Sequence, residues 1–214
     1  MIVSGCDRRA FRLCATLVML LLVFDMDIEA QTIEDGTEVA PIYANEVDRI
    51  LQVPEQQKAL YSRMLDEQLL RTGTQISSLQ FILLVDRNPN VQTLMLFWGS
   101  NADGFKFIGA SPVSTGRRGY DHYFTPTGVF AHSLQNPDYR SEGTRNSKGI
   151  RGYGDAGMRV YDFGWQLAPK AWRSADLRLI RLQMHATDSD RLEPLLGMAS
   201  SQGCIRIPHA RRVS

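Results

Sequence analysis

Phe81-Ile82-Leu83-Leu84-Val85, Arg87-Asn88-Pro89-Asn90 and Thr93-Leu94-Met95-Leu96-Phe97-Trp98 follow one another along the chain. Two apolar runs rich in β-branched and aromatic residues flank four polar residues that include a proline. That arrangement predicts strand, turn, strand. Asn101-Ala102-Asp103-Gly104 then predicts a second turn, leading into Phe105-Lys106-Phe107-Ile108-Gly109. Short strands at this spacing predict an antiparallel sheet or sandwich. Working outward, Met158 to Trp165 and Leu177 to Met184 read as later strands. The fold class expected is therefore mainly β. Between Pro137 and Gly157 the chain is polar and glycine-rich with no period, which fits a lid, a binding loop or disorder.

Upstream the period changes. Val47, Ile50, Leu51, Leu60, Met64, Leu65 and Leu69 recur at helical spacing between Tyr43 and Arg71. Pro54 is expected to split this segment into two helices, because its ring biases Val53 away from helical angles. Gly73 is a candidate stop. Gln31 to Pro41 is polar and acidic and reads as a linker. The domain organisation expected is a leader at 1–30, a linker with a small N-terminal helical segment at 31–78, and a β domain at 79–214.

Residues 1–30 have the pattern of an export signal. Arg8, Arg9 and Arg12 precede an apolar run from Leu13 to Phe24, and Ile28-Glu29-Ala30 offers a cleavage site. The run is short for a bilayer span, although an uncleaved anchor is the alternative. A periplasmic or secreted location follows as an expectation. Lys and Arg total 24 against 23 Asp and Glu, a net charge of +1, so bulk electrostatics give no reason to expect a nucleic-acid partner.

Of three cysteines, Cys6 and Cys14 fall in the leader, which leaves Cys204 alone in the mature chain. A single thiol in an exported protein suggests reactivity or intermolecular pairing, whereas a buried inert thiol is the plain reading of a cysteine by itself. Its surroundings favour chemistry. Cys204 sits in Ser201-Gln202-Gly203-Cys204-Ile205-Arg206, and His185 ends the run Leu177 to Met184 upstream. A thiol needs a base to become a nucleophile, and imidazole is the usual one; its removal should then raise the thiol's pKa. Gly203 leaves room for a carbonyl, and the backbone N–H groups of Gly203 and Cys204 are candidate donors to a tetrahedral oxyanion. Strand alternation puts Arg206 on the side of Cys204, where it could clamp a carboxylate. His122, His132, His185 and His209 lack metal-site spacing, so no metal or other cofactor is expected. Ser-x-x-Lys and Gly-x-Ser-x-Gly are absent from the sequence, and papain-like enzymes place Cys before His, the reverse of this order.

The segment His185…Ser201-x-Gly203-Cys204-Ile205-Arg206 resembles the signature of the L,D-transpeptidase (YkuD-type) catalytic domain. Ser114-Thr115-Gly116 with Phe124-Thr125-Pro126-Thr127-Gly128-Val129-Phe130 resembles a second family motif. Together they span roughly residues 79 to 209. Gln202 departs from the pattern, which has histidine there. The resemblance implies an L,D-transpeptidase-like β-sandwich and a thioester acyl-enzyme on Cys204, formed from a peptidoglycan stem tetrapeptide with release of D-alanine. It implies transfer to an amine of a second stem, or of a wall-anchored protein. It also implies that the Ala186 carbonyl orients His185, with Ser201 shaping the turn and Gln202, Thr127 and Gly128 lining the substrate site. The alternatives are an L,D-carboxypeptidase using water, and a weakly catalytic wall-binding protein; a monomer is expected in each case. The chain stops ten residues after Cys204. An unpaired edge and fraying along 200–210 are therefore expected.

Overall fold

The computed structural model describes residues 35–132, 138–172 and 176–209, all within one unit spanning 33–214. The leader and the tail after His209 lie outside the described residues. The elements in chain order are α1 (Val39–Glu46), α2 (Glu55–Thr72), β1 (Gln80–Asp86), β2 (Thr93–Ser100), β3 (Gly104–Pro112), β4 (Val160–Pro169), β5 (Leu177–Ala186) and β6 (Ile205–Ile207), with short 3-10 turns at Gly36–Glu38 and Glu193–Leu195. The fold is mainly β, with two three-stranded sheets and two short helices. One sheet is β1-β2-β3, antiparallel throughout. The other is β4-β5-β6, antiparallel between β4 and β5 and parallel between β5 and β6.

Alternation on β2 divides the core. Met95 and Phe97 face α2, where they meet Tyr61, Leu65 and Leu69, with Phe105 and Ala110 from β3. Leu94 faces the other way and packs with Val113, Met184 and Ile205, which joins the two sheets. β1, β2 and β5 fall on the expected runs, whereas β4 lies later than the expected Met158 to Trp165. Two helices flank Pro54 as expected, but Val47, Ile50 and Leu51 lie between them and not in a helix; Leu51 N donates instead to Ala110 O of β3 at 2.9 Å. Pro54 caps α2 with an extended ψ of 147°, and Gly73 closes it at a left-handed φ of 63°.

Two expectations need correction. The segment 31–41 is not all linker, because a 3-10 turn begins at Gly36 and α1 follows from Val39. The Asp35 side chain accepts from Thr37 N at 3.0 Å, and Pro41 sits in the first turn of α1, where its missing N–H costs nothing. Gly36 lies so close over Trp98 that any Cβ would overlap the indole. The second concerns the end of the sheet. β6 is not an unpaired edge at Arg206. β5 flanks it on one side, and on the other Ser114 N donates to Arg206 O and Arg206 N to Ser114 O, both at 3.0 Å. The chain running on from β3 thus covers the strand that follows Cys204, and the reason for expecting fraying at that position falls away. The stretch 138–157 carries no helix or strand among its residues, and it is tied to the second sheet by the Tyr153 hydroxyl, which donates to Gln183 Oε1 on β5, and by Val160 N, which donates to Tyr139 O at 3.0 Å.

Candidate active site

Three separated segments meet at the Ser201–Cys204 turn. Ser114, Thr115, Gly116 and Arg117 run beside it. Ser201 N donates to Thr115 O at 3.0 Å, and Arg117 N donates to Ser201 O at 3.1 Å. Buried Gln92 holds this run in place, accepting from Thr115 N at 2.8 Å and donating to Thr115 Oγ1 at 2.9 Å. The segment 123–125 closes the other side. Tyr123 N donates to Gln202 O at 3.1 Å, and Thr125 Oγ1 donates to Gly203 O at 2.7 Å while accepting from Gly116 N at 3.0 Å. Gly116 must be glycine, since a Cβ there would overlap the Tyr123 carbonyl. Gly203 has φ +138°, a conformation that side chains rarely adopt.

Inside the turn, Ser201 Oγ donates to Cys204 O at 2.6 Å and accepts from Gly203 N at 3.1 Å. Ser201 therefore shapes the turn as expected of it. Its acceptance of the Gly203 N–H leaves that group already engaged, so it would have to exchange partners to serve an oxyanion. Cys204 is a free thiol at the head of β6. Its Sγ lies 3.9 Å from Arg181 O on β5.

β5 carries the residues that lie beside Cys204. The register pairs Met184 with Ile205 and His185 with Arg206. Met184 and Ile205 face the shared core. Alternation then places Gln183, His185, Cys204 and Arg206 together on the opposite face. His185 is 4% exposed, and its Nδ1 lies 2.7 Å from Ala186 O. A carbonyl only accepts, so Nδ1 carries the proton and Nε2 remains as the base. Tyr153, from the irregular stretch, stacks on the imidazole with centroids 4.3 Å apart and planes at 29°, and donates to Gln183 Oε1 at 2.7 Å. Asp162 pairs with Gln183 in register and holds Arg181 by contacts of 2.7 and 2.8 Å.

Burial dominates the electrostatics. It pushes the His185 pKa down to about 4, a shift that the Ala186 carbonyl opposes and the Arg206 charge reinforces. Burial also pushes the Cys204 thiol up, against the Gln183 backbone N–H and the Arg206 charge, which both favour thiolate. Tyr153 is raised to about 12, chiefly by burial and then by the Cys204 thiolate beside it. Near neutral pH the pair rests as thiol and neutral imidazole. Removing His185 should therefore move the thiol's pKa little, where the pairing read from the sequence has it rise, because an uncharged imidazole does not stabilise a thiolate by charge. Arg206 does, and it is half-buried, with Nη1 3.4 Å from Ser200 O and Oγ.

The remaining candidates separate. Gln202 joins the turn through its backbone, with its side chain exposed. Thr127 and Gly128 are exposed, and among the described residues no hydrogen bond ties either to the turn. Thr125, two residues earlier in the same motif, holds the turn instead. Gln183 was legible as the strand neighbour of His185 on the same face, whereas Tyr153 and Asp162 carried no sequence signal. Among the described residues no group of three His, Cys, Asp or Glu is placed to hold a metal ion. No described helix is long and apolar enough to cross a membrane. No family model matches the chain, and no curated protein matches it in sequence.

The double role of Thr125 makes a sharp test. Thr125→Val keeps shape and volume but removes the hydroxyl, which leaves Gly116 N and Gly203 O unpaired in a buried place. A loss of about 2–4 kcal/mol in urea unfolding is expected. The rate at which Cys204 reacts with a small alkylator should change as well, since Gly203 precedes it in the turn. Wild-type stability in the variant would show that the hydroxyl does not hold the turn.

Proposed function

We propose that this chain is an L,D-transpeptidase-like acyltransferase of the bacterial cell wall, with an L,D-transpeptidase-like sandwich as its scaffold. The observation that carries the reading is the placement of Cys204 and His185 on one face of adjacent strands, with His185 Nδ1 held by the Ala186 carbonyl. Cys204 Sγ attacks the carbonyl at the L-centre of the third residue in a donor stem tetrapeptide. The S–H proton passes to His185 Nε2 as the S–C bond forms. The tetrahedral oxygen is met by the Cys204 N–H, and by the Gly203 N–H once it leaves Ser201 Oγ. The C–N bond then breaks, the proton passes to the departing D-alanine nitrogen, and a thioester remains. An amine from a second stem or a wall-anchored protein attacks the thioester, gives its proton to His185, and restores the thiol. Water in place of the amine would give carboxypeptidase products. Arg206 supplies a cation beside the thiol for a substrate carboxylate. The leader at 1–30 would deliver the chain to the periplasm or outside the cell, where this substrate is found.

A second reading, binding of the wall without turnover, is favoured by the engaged Gly203 N–H and the raised thiol. Intact-mass measurement separates the two. Incubation with disaccharide-tetrapeptide should add the disaccharide-tripeptide acyl mass to Cys204 and release D-alanine, and a carbapenem should acylate the same thiol through its strained carbonyl. No adduct with either, on protein whose Cys204 still reacts with a small alkylator, would favour binding alone.

A further inference from the structure

Residues 117–123 build a feature that the acyl-transfer chemistry does not use. Residues 122–124 run beside 169–171: Phe124 N donates to Pro169 O and Ala171 N to His122 O, both at 2.9 Å. This brings Trp172 into ring contact with both Tyr120 and Tyr123, a row of contacts with the tryptophan in the middle. The Tyr123 and Trp172 ring centroids are 5.5 Å apart, and those of Trp172 and Tyr120 are 5.6 Å apart. The loop is pinned from beneath: Arg117 Nε donates to His122 Nε2 at 3.1 Å, so Nδ1 carries the proton and donates to Tyr120 O at 2.7 Å. Lys170, paired with Asp176, lies 5.7 Å from the Trp172 ring. Tyr120 at the outer end is 82% exposed. Holding so large a ring in water is informative when the backbone below it is fixed by hydrogen bonds.

The inner end of the row is the nucleophile's turn itself. Tyr123 N donates to Gln202 O, and the Tyr123 Cβ would lie 3.3 Å from a Cβ at Gly203. From there the two ring contacts carry the row outward by up to about 11 Å. In the proposed donor, three residues separate the attacked carbonyl from the sugar, a reach of roughly 10 Å in an extended chain. A pyranose presents C–H bonds whose positive ends suit the negative face of an aromatic ring, and hydroxyls that suit tyrosine O–H and lysine at its rim. We infer that Tyr120 and Trp172 form a sugar-binding shelf that holds the glycan end of the donor while its stem peptide lies along Tyr123 to Cys204. This inference rests on the acyl-transfer reading for its substrate, and the shelf's own chemistry can be tested apart from it.

Two measurements decide it. The first compares acylation of Cys204 by the free tetrapeptide and by the disaccharide-tetrapeptide, in wild type and in Tyr120→Ala. Tyr120 is exposed, so the variant should keep the wild-type fold, and a circular dichroism melt checks it. Wild type should favour the sugar-bearing donor about tenfold in kcat/KM, through KM. Tyr120→Ala should lose that preference and leave the free peptide unchanged. Equal loss on both donors would make the shelf a peptide contact, and no preference in wild type would abolish it. The second measurement titrates a β-1,4-linked N-acetylglucosamine tetramer against Trp172 fluorescence, in a Trp165→Phe background because Trp165 is also exposed. Quenching that disappears in Tyr120→Ala supports the shelf even where no donor acylates Cys204, in which case the transfer reading alone fails. Acylation without sugar preference or quenching would overturn the shelf and leave the transfer reading standing.

Discussion

Cys204→Ser should reduce acyl transfer by a factor on the order of 10³ or more while the protein stays folded. The hydroxyl that replaces the thiol must lose its proton as it attacks, and the base available is an imidazole whose pKa burial holds at about 4. Such a base can accept a proton from a polarisable thiol at the moment of bond formation. It is far too weak to draw one from an alcohol. The fold has little reason to change. The packing that holds the turn runs through Ser201, Gly203 and Thr125, and the thiol's hydrogen bond to Arg181 O is a weak contact at 3.9 Å. Urea unfolding should differ from wild type by no more than about 1 kcal/mol. Release of D-alanine and the acyl mass on the protein are the readouts. Turnover retained in the serine variant would remove Cys204 from the mechanism.

His185→Gln should have two effects of different kinds. It removes the base, so acylation should fall by a factor on the order of 10² to 10⁴. It should also change how stability depends on pH. The folded protein holds the imidazole neutral down to about pH 4, whereas an unfolded chain takes up the proton near 6.5. Between these values the unfolded state binds more protons, so stability rises with pH. The contribution is complete above 6.5 and is lost as pH falls towards 4; two and a half pKa units correspond to about 3 kcal/mol. Wild type should therefore lose that amount across the window, and the glutamine variant should lack that part of the slope. The carboxylates of Asp162 and Asp188 are held below their ordinary range, by the Arg181 pair and by backbone N–H groups respectively. Their stabilisation disappears only at lower pH, as it falls through their depressed values, so the two windows separate. Equal slopes in both proteins between pH 4 and 6.5 would mean that His185 is not buried in its neutral form.

Alkylation of the thiol offers a finer check on the resting state. With the imidazole uncharged, the pH at which Cys204 begins to react should move little in His185→Gln. It should move upward in Arg206→Gln, because the guanidinium is the nearby charge that favours thiolate. The reverse pattern would restore an ion pair between Cys204 and His185.

Strands, turns and the helix break were legible in the sequence because each depends on neighbours a few residues away. The apolar runs Phe81–Val85 and Thr93–Trp98 with the turn between them, the proline that precedes α2 and the glycine that caps it act through local backbone angles. The same locality put His185 and Arg206 on the working side of their strands, and made Ser201 the shaper of a turn that begins at Ser201. What only the tertiary structure decided involves partners far apart in the chain. Ser114 lies alongside Arg206, Thr125 rather than Thr127 braces Gly203, and Tyr153 stacks on His185 from a stretch without period. No spacing encodes such pairs, because loop closure over tens of residues costs nearly the same for neighbouring registers. Complementary packing and hydrogen bonding then choose among those registers. The low basicity of His185 belongs to the same class: an imidazole's ordinary pKa is a property of the residue, and its value of about 4 here is a property of the water excluded around it.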